Sequence, residues 1–295
     1  MRTVKNILQA LKHKFRLRNR IREYFLLHTF KRQNAFSKAS LVDSNKVVSN
    51  GELIISLTTY SSRIEYVYLT IESIARQTCK PNRIILWLDE SEFNTRSLPK
   101  SLVNLQHRGL EIRYCPNYRS YKKMFPTWQC YPDATIITID DDILYPENMI
   151  QILVNESVTH PKMILGHRAH RITYQNGKVN PYQEWELESR IHESLPDIFI
   201  TTGGGTLFPP NWLKEEQLSN TDYLDLAPTA DDLWIKFMSL KNNVECKKVS
   251  SSKHFRDEFI FISKLQAQGL YHENMHRGNN DKTIEILSNY FEISL

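Results

Sequence analysis

Residues 134–146, ATIITIDDDILYP, constrain the fold more than any other part of the chain. A β-favouring apolar run from Ala134 to Ile139 ends abruptly in Asp140, Asp141 and Asp142. An apolar run this short predicts a buried strand. In open α/β sheets, ligands collect outside the carboxyl ends of such strands. Three adjacent carboxylates repel, so they recruit a cation or raise one another's pKa. In an extended chain Asp140 and Asp142 face one side and Asp141 the other. That pattern suits a hard divalent ion, which takes oxygen ligands and shares them with substrate phosphates. The alternative is a solvated acidic turn, which so uniformly apolar a strand argues against.

The remaining sequence alternates strand and helix signals. Leu53–Thr58 reads as a first strand, residues 67–77 as a helix with Tyr68, Ile71, Ile74 and Ala75 on one face, and residues 83–88 as a second strand ending at Asp89. Residues 110–114 and 164–166 are weaker strands, and residues 146–154 a helix with Pro146 near its first turn. The alternation predicts an α/β class with a mostly parallel central sheet flanked by helices. With 295 residues, 41% hydrophobic and 24% charged, the chain has an ordinary globular composition. Cys79, Cys115, Cys130 and Cys246 lack CxxC spacing and read as free thiols. No secretory leader or long apolar span is evident, so a cytoplasmic location is expected.

Charge is distributed unevenly. Residues 1–40 hold eleven Lys or Arg against one acid, Glu23, in a chain whose formal net charge is +5. Val4, Ile7, Leu8, Leu11, Phe15, Ile21 and Phe25 recur at helical spacing. Residues 1–45 therefore read as a basic amphipathic helical extension, and residues 46–295 as the main domain. Such a helix suits an anionic membrane surface, where each Lys or Arg contributes roughly 1 kcal/mol. The alternative is packing on the main domain with a solvated basic face. Nucleic acid is the least suitable partner, because a polyanion arm leaves the acidic centre unexplained.

Two later motifs complete a candidate site. Residues 201–210, TTGGGTLFPP, carry Gly203, Gly204 and Gly205, which let a ligand approach the backbone closely. No Gly-Lys-Ser/Thr follows, so this is not the loop of the nucleotide triphosphatases. Residues 227–240, APTADDLWIKFMSL, open an amphipathic helix. Thr229 and Asp232 have capping-box spacing, which leaves Asp231 free. A carboxylate at a helix start stays ionised and can take a proton from a substrate hydroxyl.

Taken together and in this order, these motifs resemble the nucleotide-sugar-dependent glycosyltransferases of the GT-A fold, in particular bacterial family-2-like enzymes. The resemblance runs from about Glu52 to Asp281 and includes LIISLTTYSSRI, SIARQTCKPNRIILWLDE, DDD, the glycines and ADDLW. It implies a nucleotide-diphosphate sugar as donor, a saccharide or lipid-linked acceptor, and Mn²⁺ or Mg²⁺ to stabilise the leaving diphosphate. By the same resemblance Asp142 and Asp140 are metal ligands, with Asp140 and Asp141 also near the ribose. Asp232 or Asp231 matches the catalytic base. Thr58, Tyr60, Arg63 and Asp89 match nucleotide contacts, Lys122 or Lys123 a diphosphate contact, and Gly204 and Gly205 the substrate-facing turn. A late histidine often joins the metal, and His254, His272 and His276 compete for that place. The run His167–His170 reads either as a donor-sugar contact or as polar surface. Residues 276–283 read as a polar loop that closes over the donor. The first strand has Leu-Thr-Thr-Tyr where such enzymes have Pro-Thr-Tyr-Asn, so base specificity stays open.

Two rival functions account for parts of this pattern. A phosphotransferase of the haloacid dehalogenase type needs its aspartate on the first strand, and here the motif is mid-chain. A non-catalytic polyanion- or membrane-binding protein would use the basic arm alone. A surface-held cytoplasmic enzyme of bacterial polysaccharide, capsule or lipooligosaccharide synthesis unites the arm with the acidic centre.

Overall fold

The protein is described from a computed structural model, which covers residues 2–45, 51–93, 97–268 and 278–295. Seven strands form the central sheet: β1 (Leu53–Thr58), β2 (Arg83–Asp89), β3 (Leu110–Cys115), β4 (Thr135–Ile139), β5 (Ile164–Gly166), β6 (Gly204–Phe208) and β7 (Cys246–Lys248). Their order is β7-β5-β6-β4-β1-β2-β3. β3, β2, β1 and β4 are mutually parallel, β6 runs antiparallel to both β4 and β5, and β7 is parallel to β5.

Side-chain alternation explains the layers. Leu53, Ile55 and Leu57 of β1 point into one core and Ile54 into the other, all fully buried. β2 repeats this with Ile84, Leu86 and Leu88 against Ile85 and Trp87. Strands buried on both faces need continuous apolar runs, which is what the sequence supplies. Each such side chain contributes about 1.5–3 kcal/mol by leaving water. Helices α2 (Val67–Ala75), α3 (Lys100–Gln106) and α5 (Met149–Thr159) cover the first face through Ile71, Ile74, Leu102, Leu105, Ile150 and Leu153. Helices α4 (Phe125–Cys130), α6 (Asp231–Lys241) and α7 (Asn279–Phe291) cover the second with Phe125, Trp128, Trp234, Phe237, Leu287 and Phe291. This is the expected α/β class: a mostly parallel sheet between two helical layers.

Several local expectations change. Residues 201–210 are only in part a turn: Thr202 and Gly203 form one, and Gly204–Phe208 form β6, hydrogen-bonded on both sides. The helix expected from Pro146 starts at Met149, because Pro146 gives its carbonyl to Gln77 Nε2 at 2.6 Å. Residues 279–283 are the start of α7 instead of a loop, with Asn280 and Thr283 buried and Asp281 accepting the Tyr182 N–H at 2.7 Å.

The basic extension is one helix, α1 (Arg2–Phe36). From residue 17 onward it has two distinct faces. Phe30 is buried with Leu69, Leu144 and Ile260, and Glu23 accepts hydrogen bonds from the Ser263 N–H (2.7 Å) and hydroxyl (2.6 Å). Asn34 donates to Glu72 Oε1 at 3.2 Å and to the Ser101 carbonyl at 2.9 Å. Opposite this face Leu17, Ile21, Tyr24 and Phe25 are 51%, 50%, 70% and 64% exposed. Packing on the main domain and an exposed apolar stripe therefore coexist on one helix. Val4, Ile7, Leu8, Leu11 and Phe15 lie outside the residues whose side chains are described. Among the described residues no helix is long and apolar enough to cross a membrane.

α1 is tied to the body through a buried ion pair. Glu72 of α2 accepts from Arg108 Nη1 at 2.5 Å, both side chains being almost wholly buried. Burial pushes the Glu72 carboxyl up from its ordinary pKa, and Arg108 opposes that shift. Removing one member of such a pair strands the other charge. We expect Glu72→Ala to lower the unfolding free energy in urea titration by about 3–5 kcal/mol.

Candidate active site

Three parallel strands, β1, β2 and β4, end at one edge of the sheet. The chain moves from β1 outward to β2 and β3, then returns to β4 on the other side of β1. The crevice at β1 and β4 is thus a topological switch point, where α/β sheets bind ligands. Asp140, Asp141 and Asp142 follow β4 directly into this crevice.

The aspartates do not alternate across an extended strand as expected. Strand pairing stops at Ile139, and the turn beyond brings Asp141 and Asp142 to one guanidinium. Arg63 Nη1 lies 2.7 Å from Asp141 and 3.0 Å from Asp142. Asp141 also accepts from Thr59 Oγ1 at 2.6 Å, and Asp142 from Gln266 Nε2 at 3.2 Å. Thr70 and Ser73 of helix α2 fix the backbone of this turn, and Gln77, just beyond the helix, holds the start of α5. Thr70 Oγ1 lies 2.9 Å from the carbonyl oxygens of both Asp141 and Ile143. Ser73 Oγ accepts the Tyr145 N–H at 3.0 Å, and Gln77 Oε1 accepts the Ile150 N–H at 2.9 Å. Burial, then repulsion from Asp140 and Asp141, pushes Asp142 up to about 7. Burial also raises Asp141, against the pull of Arg63 and Thr59.

Asp140 turns the other way, toward Lys123. The Lys123 ammonium sits 2.7 Å from Asp140 and 3.2 Å from Asp231 at the start of α6. Burial works against its charge, but Asp140, Asp231 and Asp232 outweigh it and raise the Lys123 pKa. Lys122 instead pairs with buried Asp89 at 3.4 Å. Burial opposes ionisation of Asp89, yet Ser91 and Lys122 keep its pKa below the ordinary value. The two lysines expected at a diphosphate are thus held by carboxylates.

The capping box at Thr229 and Asp232 does not form: α6 begins at Asp231, with Ala230 at the N-cap and no side-chain cap. Both acids turn to Thr202. Its hydroxyl lies 3.0 Å from Asp231 Oδ2 and 2.7 Å from Asp232 Oδ1, and its N–H donates to Asp232 Oδ1 at 2.7 Å. Asp232 Oδ2 has no hydrogen-bond partner among the described residues. Burial, then repulsion from Asp231, raises Asp232 to about 6, against Lys123 and Thr202.

The glycines line the Asp140 side of this arrangement. A Cβ on Gly203 would lie 1.7 Å from Asp140 Oδ2. Gly205 has φ +86 at an irregular point in the pairing of β6 with β4, a conformation open to glycine. Gly204 backs onto Arg168 and Phe255. Buried Tyr145 joins the two segments: its hydroxyl accepts the Asp140 N–H at 2.9 Å and donates to the Gly203 carbonyl. At the end of β1, Thr58 Oγ1 donates to the Trp87 carbonyl at 2.8 Å, and Tyr60 lies under the Arg63 guanidinium, 5.0 Å from ring centre to carbon.

Thr58, Tyr60, Arg63, Asp89, both lysines, the three aspartates, the glycines and the α6 acids thus gather at one sheet edge. His254 is different. Its Nε2 is met by Arg190, and a guanidinium at that nitrogen conflicts with a metal ion there. No contact joins it to the aspartates among the described residues. His272 and His276 lie outside the described residues. His167 and His170 are not polar surface: both are buried, and burial pushes them down to about 4 and about 3. Thr59, Thr70, Tyr145 and Thr202 were missed by sequence reading. The 70/73/77 polar stripe was a visible signal for one of them; Tyr145 had none.

Among the described residues no three His, Cys, Asp or Glu side chains form a ready metal cage. A hard divalent ion held by one or two carboxylates and substrate phosphates needs none. Burial and then repulsion from Asp140 and Asp141 raise Asp142, and such an ion would relieve the repulsion, although Arg63 now holds Asp142 and Lys123 holds Asp140.

The model of glycosyl transferase family 2 matches residues 55–216, more than half of the chain. The protein belongs to this family. Comparison with curated proteins returned no match. Membership makes the chain a glycosyltransferase, with a nucleotide-sugar donor and an acceptor as its substrates. The matched span of this glycosyltransferase starts within β1, runs through β6 and contains the aspartates, whereas the α6 acids lie beyond it.

Asp142 couples stability to pH. Its raised pKa contributes stability below the ordinary carboxyl range, and that contribution is lost as pH rises through about 7. We expect Asp142→Asn, in chelator-treated protein at pH 8, to melt a few degrees higher than wild type. At pH 4 the difference should vanish.

Proposed function

We propose that this glycosyltransferase moves a sugar from a nucleotide-diphosphate donor to a hydroxyl of a saccharide or lipid-linked acceptor, with Asp232 as base. The Lys123 bridge is the observation that supports this most. It sets the acids of α6 beside the aspartates of the β4 turn, so donor and acceptor groups meet across one buried ammonium.

Arg63, Tyr60, Thr58 and Asp89 form the nucleotide side of the crevice. Asp140 and Asp142 would hold Mn²⁺ or Mg²⁺ with the donor phosphates, and the ion supplies Lewis-acid stabilisation of the leaving diphosphate. Lys122 and Lys123 act by fixing Asp89 and Asp140. Thr202 anchors Asp232 Oδ1 and leaves Oδ2 to accept the acceptor's hydroxyl proton. As that proton passes, the acceptor oxygen attacks the anomeric carbon. The bond from this carbon to the diphosphate oxygen breaks, and its electron pair leaves with the nucleotide diphosphate. Attack opposite the leaving group inverts the anomeric centre.

A base titrating near 6 is ionised at neutral pH and still basic enough to share a proton in the transition state. We expect kcat/KM to rise with pH through about 6 and Asp232→Asn to lower kcat by about 10²–10⁴. A product that keeps the donor's anomeric configuration, seen by NMR, would overturn the assignment of the base.

The exposed stripe of α1 supports a peripheral place on the inner, anionic face of a bacterial cell membrane. Leu17, Ile21, Tyr24 and Phe25 lie beside exposed Arg20, as in helices that settle into a lipid interface. There the enzyme would serve synthesis of a surface polysaccharide, capsule or lipooligosaccharide. Replacing Ile21 and Phe25 with Glu should abolish co-sedimentation with anionic vesicles. Its effect on folding stability should stay within about 0.5 kcal/mol per substitution.

A further inference from the structure

A small cavity lies across β6 from Asp140. It holds about 100 Å³ and is walled by Arg168, Arg190, Lys248, Lys253, Glu188 and Phe255, among others. This is roughly the volume of three waters, the size of one oxyanion group. Its place follows from the topology. β5 and β7 are parallel to each other, and their carboxyl ends lead into Arg168 and Lys248. The amino end of β6 separates them from the carboxyl end of β4, where Gly204 pairs with Ile139. Gly204 is the partition: a Cβ there would lie 2.8 Å from Arg168 Cβ. The cavity therefore opens on the same sheet edge as the aspartates, on the far side from the nucleotide crevice.

Its charge is unbalanced. Glu188 is its acid, and that carboxylate is already taken by Arg256 at 2.9 Å and Arg168 at 3.6 Å. Lys253 pairs with Glu258 at 3.2 Å. Arg190 meets His254 and no carboxylate among the described residues. Lys248 is the telling group: the residue is 7% exposed, yet its ammonium makes no hydrogen bond or ion pair with any described residue. Burial pushes its pKa down against the pull of Glu188, with Arg190 adding to the fall, and an anion in the cavity would favour its charged form. Guanidinium and ammonium groups around a small polar space match the tetrahedral oxyanion of a phosphate ester.

We propose that this cavity binds a phosphate group carried by the acceptor, a specificity that rests on the glycosyltransferase reading. The phosphate would anchor the acceptor beyond β6 and leave its hydroxyl to reach Asp232. Lys253 also lines a groove of about 780 Å³ beneath α1, bordered by Leu26, Phe30, Leu144 and Ile260. The phosphate can accordingly belong to a soluble sugar phosphate or to a lipid headgroup.

The test is binding of a hexose 6-phosphate and of inorganic phosphate to the full chain, followed by calorimetry. A parallel arm uses co-sedimentation with phosphatidylcholine vesicles that do or do not contain a polyprenyl phosphate. Lys248→Gln and, in case that strand substitution impairs folding, surface Arg190→Gln should each weaken phosphate binding at least tenfold. Loss in the soluble arm assigns a sugar phosphate; loss in the vesicle arm assigns a lipid headgroup. Wild-type protein that binds phosphate in neither arm, or folded variants that bind it undiminished, would overturn the inference. Nucleotide-sugar hydrolysis by wild type is measured separately. Its presence without phosphate binding removes only the anion subsite. Its absence with variant-sensitive phosphate binding removes the glycosyltransferase reading and keeps the subsite.

Discussion

The Lys123 ammonium is the point on which the site depends. It is buried, and a buried cation persists only when carboxylates surround it. Asp140 comes from the end of β4 and Asp231 from the start of α6, segments that share no backbone pairing. One side chain thus sets the separation of two acidic motifs that are far apart in sequence. It also moderates their charge. Asp232 remains a carboxylate near neutral pH because Lys123 and Thr202 offset part of the effect of burial and of Asp231.

A rigid frame is needed to concentrate so much charge. Helix α2 and the residue just past its C-cap supply it by devoting Thr70, Ser73 and Gln77 to the backbone that follows β4, while Ile71 and Ile74 of the helix fill the core. The other side of α2 receives α1 through Glu72, Asn34 and Arg108. The peripheral helix and the aspartate turn are consequently two packing partners of one element. The strain of the site lies in its electrostatics: Asp142 is held in a place that disfavours its own charge, as expected where function and stability compete.

Much of this was readable in the sequence. The strands LIISLT, RIILWLD and TIITI were legible because burial on both faces demands apolar runs, and their carboxyl ends located the crevice. The aspartates and the ADD pair were legible as isolated acids beside apolar segments. Their partners were not, because ion pairs are set by topology: adjacent Lys122 and Lys123 go to different carboxylates 51 residues apart in sequence. The capping box failed because Thr202, from another segment, competes for Asp232. TTGGGTLF looked like a turn throughout because glycine is a poor strand former; Gly203 makes room for Asp140 in a turn, but Gly204 makes room for Arg168 within a paired strand.

Gly203 carries a consequence for how such a chain can change over time. The space its Cβ would need is filled by the Asp140 carboxylate. The two positions therefore form an epistatic pair, in which the residue tolerated at one is dictated by the residue at the other. Any lineage that acquires a side chain at 203 must first shorten or turn away the acid at 140, and with it release one of the two carboxylates that hold Lys123. Glycine at 203 is in this sense a lock on the catalytic edge, set by the size of a single carboxylate.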